Sequence, residues 1–282
     1  MYRKRFGLRG HPLPKDAQGK TFFTETSGYR RLSRAFAEIL EDRGLAALTG
    51  VAGVGKTVAL RSLCLSLPNP DHRVIYLCDT AVAPLDMYRM LAIELGVRPS
   101  HRRSQLWADI KKAMLNMVDE QGVLPVVVLD EAQHLSDRFL VDLSGFLNFA
   151  FDSRDIFPVW LIGLPRLSAH LRMQQHSALA MRVAVHVHIE PPGRDEFVAM
   201  VLHGLAAVGA KEKLLSDPAL EMLWRASHGL PRLASKLLRA ALREAHHRDQ
   251  SFVDEHVIKA AIDQMGMAVA GALRPSAPKK NP

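Results

Sequence analysis

A glycine-rich segment beginning at Gly50 has the residue types and the spacing of a triphosphate-binding loop. The segment GVAGVGKT completes the pattern G-x-x-x-x-G-K-[ST], in which glycines let backbone N–H groups surround phosphates at a helix N-terminus. In this pattern Lys56 neutralises the β- and γ-phosphates, and the Thr57 hydroxyl ligates Mg²⁺. An apolar run at 45–48 precedes the loop and a helical pattern at 58–67 follows it, which is the setting that the pattern requires. The predicted nucleotide-binding residues are Gly50, Val51, Ala52, Gly53, Val54, Gly55, Lys56, Thr57 and Val58.

Two carboxylates follow a second apolar run and complete the predicted chemistry. The run LPVVVL at 124–129 is typical of a parallel strand that is buried on both faces, and it ends in Asp130 and Glu131. Doubly wound sheets bind ligands at the carboxyl ends of their strands, so these carboxylates are expected beside the phosphate loop. Asp130 is predicted to hold Mg²⁺ through water, and Glu131 to polarise the attacking water as general base. The pair therefore predicts hydrolysis of a nucleoside triphosphate and not binding alone.

Composition limits the class of protein. The 282 residues suffice for one large or two modest domains, and no apolar stretch approaches the roughly 20 residues of a membrane span. The basic amino terminus lacks the apolar core of a secretory signal. Cys64 and Cys78 have no metal-ligand spacing and are predicted to be reduced, buried thiols of a cytoplasmic protein. The net charge of +8 and the pI near 9.7 indicate a polyanionic partner such as nucleic acid.

Strand and helix patterns alternate through the first two thirds of the chain and give way to helices alone. Strands are predicted at 45–48, 74–77, 124–129, 157–162 and 183–189, and helices at 27–42, 85–95, 104–118 and 137–151. This order predicts βαβ units with a central parallel sheet. After a hinge at Pro191 and Pro192, helices are predicted at 194–208, 217–226, 231–246 and 254–265. The expected domains are a basic segment 1–26, an αβα core 27–190, a small all-helical domain 191–265 and a flexible tail 266–282.

A phosphate-loop core followed by a small helical domain resembles the AAA+ ATPases. The run VVVLDEAQHL at 126–135 resembles the second motif of their ExeA-like group, which includes DNA-transposition ATPases of the MuB, TniB and TnsC kind. YRKRFGL at 2–8 and HGLPRLASKLL at 228–238 are similar to the opening and to the lid motif of the same group. The resemblance covers 1–265 and implies an α/β fold, a P-loop AAA+ core with a central parallel sheet followed by a helical lid. It also implies ATP and Mg²⁺ as the ligands.

The resemblance assigns two further residues and shows one departure. Arg232 matches a lid arginine that reaches the γ-phosphate, with a solvated arginine at a helix start as the alternative. Arg182 matches an arginine finger that enters the neighbouring subunit's site, with an ordinary strand-start arginine as the alternative. Similar proteins carry a polar residue where this chain has Leu164, and leucine cannot hydrogen-bond water. Intrinsic hydrolysis is therefore expected to be slow, or another residue orients the attacking water in place of Leu164.

Basic clusters are the candidates for contact with DNA. The first, in a region that faces the DNA in similar transposition ATPases, is Arg98, Arg102, Arg103 and Lys111. The others are the stripe Arg232, Lys236, Arg239 and Arg243 and the amino-terminal Arg3, Lys4, Arg5 and Arg9. A solvated surface is the alternative for each cluster. Few aromatic residues lie among these charges, so phosphate contact without sequence preference is expected. His186 and His188 share one strand face, but no third metal ligand is evident in the sequence.

These expectations define a functional hypothesis with two alternatives. The hypothesis is a cytoplasmic ATPase that forms a ring or helical filament on duplex DNA and recruits or activates a transposase, without a membrane partner. The alternatives are an ExeA-like secretion or assembly ATPase and a DNA-replication initiator or helicase loader. ExeA-type ATPases continue into a membrane segment, whereas this sequence ends after the lid, which is the reason for preferring the DNA-associated role.

Overall fold

The computed structural model describes residues 2–14, 26–210 and 213–266, and its contacts divide the chain into two units. The first unit consists of Ser27–Ala52 and Lys56–Glu190. The second contains the described residues of 1–26 and 191–282, together with Gly53–Gly55. Most of the predicted flexible tail, from residue 267 onward, and residues 15–25 of the basic segment lie outside the described residues.

The first unit is built on a parallel sheet that has the order β2-β3-β4-β1-β5. Every residue of the inner strands β1 and β4 is buried, because helices cover both faces of a doubly wound sheet. The strands are β1 (Leu45–Gly50), β2 (His72–Leu77), β3 (Leu124–Leu129), β4 (Val159–Gly163) and β5 (Val183–Ile189). β3 lies between β2 and β4, and β1 lies between β4 and β5. The carboxyl ends of β1, β3 and β4 therefore meet at one edge.

Helices account for most of the remaining described residues. In chain order they are α1 (Tyr2–Arg5), α2 (Ser27–Asp42), α3 (Lys56–Leu65), α4 (Pro84–Glu94), α5 (Arg103–Asp119), α6 (Asp137–Phe146), α7 (Arg166–Leu171), α8 (Ser177–Arg182), α9 (Arg194–Ala207), α10 (Asp217–Ser227), α11 (Pro231–His247) and α12 (Glu255–Gln264). None of the described helices is long and apolar enough to cross a lipid bilayer.

Local signals explain where these helices begin and end. α4 starts with Pro84 and stops before Gly96, whose φ of 77° and hydrogen bond to Ile93 O close the helix in a left-handed cap. Ser136 caps α6 by accepting a hydrogen bond from the Phe139 N–H. The sequence predicted that this helix would reach residue 151, but it ends at Phe146. Three consecutive residues after it, Ala150–Asp152, have positive φ and cannot continue a right-handed helix.

The second unit has its own apolar core and includes the amino-terminal segment. Tyr2, Phe6 and Leu8 are buried in the same cluster as residues of α9–α12. Gly204 makes room for this segment, since a Cβ there would stand 2.2 Å from Pro12 O. Arg5, one of the predicted DNA-contacting residues, donates to Asp249 Oδ1 at 2.7 Å. The amino-terminal charges therefore belong to a packed segment and not to an extended arm.

The two cysteines differ in their surroundings. Cys64 is buried in α3, and burial raises the pKa of its thiol to about 12, which makes it unreactive at neutral pH. Cys78 is exposed immediately after β2. The prediction of buried thiols is thus confirmed for Cys64 and wrong for Cys78, because the strand ends before Cys78 and leaves it outside the sheet.

Candidate nucleotide-hydrolysis site

The phosphate-loop residues lie between the central strand β1 and the helix α3. Gly53 and Gly55 have φ values of 84° and 104°, a left-handed conformation that a side chain disfavours. Lys56 and Thr57 form the first turn of α3, where free N–H groups and the helix dipole attract anions. The Lys56 ammonium donates to Gly50 O at 2.8 Å and Val51 O at 3.1 Å, so the loop's own carbonyls hold it over the loop.

Thr57 and Asp130 join the two sequence motifs. Thr57 Oγ1 donates to Asp130 Oδ2 over 2.7 Å, across 73 residues of sequence. Asp130 is only 4% exposed, and its other oxygen accepts a 2.8 Å hydrogen bond from the Glu131 N–H. Both carboxylate oxygens are therefore fixed in direction.

Tyr76 is a member of the site that the sequence analysis missed. Its hydroxyl donates to the same Oδ2 of Asp130 at 2.9 Å. Burial and this hydrogen bond raise the pKa of Tyr76, so the phenol remains a donor at neutral pH. The sequence signal that could have identified Tyr76 is its place as the second-last residue of β2. The carboxyl end of β2 adjoins that of β3, where Asp130 follows.

The donor set fits a magnesium ion. A hydroxyl and a carboxylate at the start of α3 and the end of β3 are hard oxygen ligands of the kind that Mg²⁺ prefers. Thr57 and Asp130 are the residues that would hold it, and the hydrogen bond from Tyr76 would orient the Asp130 carboxylate.

Glu131 is held by two neighbours at the end of β3. Its backbone is left-handed, with φ of 52°, and its carbonyl accepts a 2.8 Å hydrogen bond from Thr80 Oγ1. Its carboxylate Oε2 accepts a 2.6 Å hydrogen bond from Gln133 Nε2. A non-glycine residue in this conformation is kept there by such contacts, which fix the direction of its side chain.

Gln133 connects Glu131 with the end of β4. Its Oε1 accepts a 2.9 Å hydrogen bond from the Leu164 N–H, and its side chain is 8% exposed. Only one orientation of the amide can accept from an N–H and donate to a carboxylate, so the two bonds fix Gln133. Gly163 leaves the necessary space, because a Cβ there would stand 2.7 Å from Gln133 Oε1. The side chain of Gln133 thus links the Glu131 carboxylate to the backbone of Leu164.

The two predicted arginines differ in their contacts. Arg182 ends α8 and forms an ion pair with Asp152, with 22% of its side chain exposed. Arg232 lies in the first turn of α11, and its N–H donates to Gly53 O at 3.2 Å. A Cβ on Gly53 would be 3.1 Å from Arg232 Cβ.

The predicted DNA-contacting residues fall into two classes. Arg103 pairs with Asp142 at 2.7 Å and stacks 4.3 Å above Trp107, and Lys111 donates to Asn148 O at 2.7 Å. Burial also lowers the pKa of Lys111. Arg98 and Arg102 are exposed, and neither takes part in an ion pair with the described residues.

His186 and His188 do not gain a third metal ligand within the described part of the chain. The ring of His188 instead places Nδ1 3.0 Å from Thr49 Oγ1.

Comparisons with known proteins agree with this geometry. Residues 39–171 match the family model of the AAA domain. The chain is similar to General secretion pathway protein A of Aeromonas hydrophila, an ExeA-type protein, with 28% identity over 250 residues. The match covers 88% of this chain and 45% of that protein, so the chain spans less than half the length of this curated relative.

Solved structures of low sequence identity share the fold. Cdc6p from Pyrobaculum aerophilum has a TM-score of 0.71 and 17% identity, with 90% of this chain and 70% of that chain covered. The Drosophila ORC bound to DNA has a TM-score of 0.68 and 18% identity, with coverage of 91% and 65%. At such identities the likeness concerns the fold alone. The chain therefore has a P-loop AAA+ fold with a helical carboxyl-terminal part, and the matches support an AAA+ ATPase of the ExeA-like type.

Proposed function

We propose that the chain hydrolyses ATP at the carboxyl edge of its sheet and that its ATP-bound form is the assembling, partner-binding state. The observation that carries this proposal is the 2.7 Å hydrogen bond between Thr57 and Asp130. It brings a phosphate loop and a carboxylate pair together at the ends of parallel strands, which is the arrangement that phosphoryl transfer requires.

Each residue of the site has a separate task in this proposal. Lys56, now bonded to neutral carbonyls, turns to the phosphates, where an ionised acceptor gives a stronger hydrogen bond. Thr57 and Asp130 hold Mg²⁺, which neutralises phosphate charge when bound. Glu131 orients the attacking water and accepts its proton.

Gln133 is a positioning residue for Glu131. Its short bond to the Glu131 carboxylate and its anchor on the Leu164 N–H link the proposed base to the rigid end of β4. Precise placement of a general base contributes strongly to the rate, because small misplacements of the reacting groups are costly. Gln133 therefore fixes the direction of the Glu131 carboxylate.

Arg182 is proposed to act across a subunit interface. Within the chain it is held by Asp152, and two exposed apolar residues, Phe151 and Met181, are the sequence neighbours of this ion pair. Assembly would bury these apolar side chains and exchange Asp152 for the phosphates of the adjoining subunit. Arg232, whose N–H bonds to Gly53, is proposed to report the presence of the γ-phosphate.

The comparisons favour the ExeA-like alternative over the transposition role. The curated relative is named for a general secretion pathway, whereas the likeness to Cdc6p and ORC concerns the fold alone. A secretion or assembly ATPase of the ExeA-like type is therefore the preferred finer role. Recruitment of a transposase rests on the sequence resemblance alone.

Duplex DNA is a second candidate partner because of one specific observation. Arg98 and Arg102 are exposed just before the start of α5, in a chain with a net charge of +8. Such a pair of charges suits phosphate contact without base recognition. The structure of ORC bound to DNA offers a parallel for the fold only.

The proposal is tested by steady-state ATP hydrolysis with Mg²⁺, measured for the unmodified chain and for Lys56→Ala. We expect turnover that requires Mg²⁺ and is lost in the variant, because the phosphates lose their main countercharge. Size-exclusion chromatography with a non-hydrolysable ATP analogue tests the assembling state, with Lys56→Ala as the unassembled control. Equal hydrolysis by the two proteins would contradict the proposal.

A further inference from the structure

A cluster of two histidines and an aspartate lies apart from the residues assigned to ATP hydrolysis. Asp137 begins α6, His170 lies in α7, and His176 ends the short 3₁₀ turn before α8. Among the described residues, these form the one group of three acidic, histidine or cysteine side chains whose ligand atoms all lie within 4.8 Å of one another.

The two imidazoles converge on a single carboxylate oxygen. His170 Nε2 is 2.6 Å and His176 Nε2 is 3.0 Å from Asp137 Oδ1. The rings meet edge to face, with centroids 5.0 Å apart and an interplanar angle of 83°. Gln175 Nε2 also lies 3.3 Å from His176 Nε2. The Nε2 atoms of His170 and His176 therefore approach Asp137 Oδ1 from two directions.

Burial gives the cluster an inner and an outer side. The His176 side chain is fully buried and that of His170 is 19% exposed, whereas Asp137 is 60% exposed. The imidazoles form the inner side of the cluster, and the carboxylate lies on its solvent side. Such an arrangement leaves an accessible position for a water ligand.

Hydrogen bonding within the cluster does not fully account for burying His176. Its Nε2 faces Asp137, while its Nδ1 is buried without a hydrogen-bond partner among the described residues. Most buried polar atoms in proteins have a partner, so this imidazole is only half satisfied. The atom that faces the cluster, and would ligate a cation there, is Nε2.

The donor set identifies the class of cation. Two imidazoles and one carboxylate with an open fourth position are ligands that Zn²⁺ accepts in tetrahedral geometry. With metal–ligand bonds of about 2.0–2.2 Å, tetrahedral ligand atoms stand roughly 3.3–3.5 Å apart. The present separations of 2.6 and 3.0 Å need to widen by less than an ångström, and the Asp137 side chain borders solvent on its outer side.

We propose that Asp137, His170 and His176 form a zinc-binding site that fastens α6, α7 and the turn before α8. α6 follows the DEAQ segment at 130–133, and α7 follows the end of β4. The turn with His176 lies between α7 and α8, and α8 ends at Arg182. A bound ion would fix the path of the chain between the hydrolysis site and the proposed finger.

The test is a titration of the chelator-treated, full-length protein with ZnCl₂ in competition with a chromophoric chelator. We expect one Zn²⁺ per chain, with affinity lowered at least about 100-fold in His170→Ala and in Asp137→Asn, since loss of even outer-shell partners costs 10–100-fold. His186→Ala, which removes an exposed histidine outside the cluster, is the matched control and should bind as the unmodified chain does. His170 and Asp137 are chosen because they are partly exposed, whereas truncating the fully buried His176 would leave a cavity.

A second measurement distinguishes this cluster from other zinc-binding positions. Co²⁺ should give the visible absorption bands of a tetrahedral nitrogen and oxygen site in the unmodified chain and lose them in His170→Ala, while far-ultraviolet circular dichroism stays unchanged. Absence of binding at micromolar Zn²⁺, or equal binding by His170→Ala and the unmodified chain, would overturn the proposal. Neither result depends on ATP hydrolysis.

Discussion

Gln133 Nε2 lies 2.6 Å from Glu131 Oε2, and the same amide accepts a hydrogen bond from the Leu164 N–H. This contact links the proposed general base to the end of the neighbouring strand. Leu164 takes part in this link only through its backbone N–H.

Replacement of Gln133 by alanine should lower kcat by up to about 100-fold, which is the scale of a misplaced catalytic group. The affinity for ATP should stay unchanged, because Gln133 contacts Glu131 and Leu164 and no phosphate-loop residue. Steady-state kinetics separates the two parameters. Gln105→Ala, at an exposed glutamine of α5, serves as the control. A variant with unaltered kcat would show that Gln133 does not position the base.

Tyr76→Phe should raise the Mg²⁺ concentration needed for half-maximal hydrolysis. The change removes only the hydroxyl that orients Asp130, and loss of such outer partners typically weakens metal binding about 10–100-fold. A titration of hydrolysis with Mg²⁺ at fixed ATP measures the shift. Tyr29→Phe, in α2, is the matched control. If both variants require the same Mg²⁺ concentration as the unmodified chain, Tyr76 has no part in the metal site.

Arg182→Ala should slow hydrolysis by roughly the thousand-fold scale of arginine fingers. An equimolar mixture with Lys56→Ala should regain part of the activity, because each subunit supplies what the other lacks. Asp152→Asn, which releases Arg182 from its ion pair, should instead make assembly detectable at lower protein concentration. Hydrolysis assays over a range of concentrations and mixing ratios test both results. Failure of every mixture to exceed the sum of its parts would argue that Arg182 does not act in trans.

If duplex DNA is a partner, the exposed Arg98 and Arg102 should contribute more to the binding affinity than Arg103, which is paired with Asp142. The slope of log affinity against log salt should be about −0.9 per phosphate neutralised, and Arg98→Ala with Arg102→Ala should flatten it by up to about two units. Lys236 and Arg243, exposed on α11, provide a control pair. Fluorescence anisotropy with random duplex and an ATP analogue gives the slopes. Absence of duplex binding even at low salt would exclude DNA and favour the ExeA-like role.

Strong local patterns made most of the fold predictable from the sequence. Some elements are indicated by their own residues, without contacts from distant parts of the chain. Examples are the apolar run at 124–129, the proline at the start of α4 and Gly96 after its end. α7 and α8 were missed because six residues make fewer than two helical turns, too few to display periodicity. The basic segment 1–26 was interpreted from its charges, whereas its apolar residues Tyr2, Phe6 and Leu8 determine its packing.

The candidate site was predictable where one motif carries its own chemistry. Lys56, Thr57, Asp130 and Glu131 follow from type and spacing. Tyr76 and Gln133 depend on which strand ends are neighbours, and that register is a property of the sheet. The ion pair of Arg103 with Asp142 likewise joins separate helices, which charge counting along the chain cannot reveal.

The central claim is that Glu131 activates water for ATP hydrolysis at the site that Thr57 and Asp130 define. The most direct measurement compares ATP binding and single-turnover hydrolysis in Glu131→Gln and the unmodified chain. The variant keeps the size of the side chain and one oxygen that can accept from Gln133, but it cannot accept the proton. ATP should therefore bind with unchanged affinity. Hydrolysis should fall by about 10²–10⁴-fold, the usual contribution of a general base. Hydrolysis by Glu131→Gln at the unmodified rate would contradict the account.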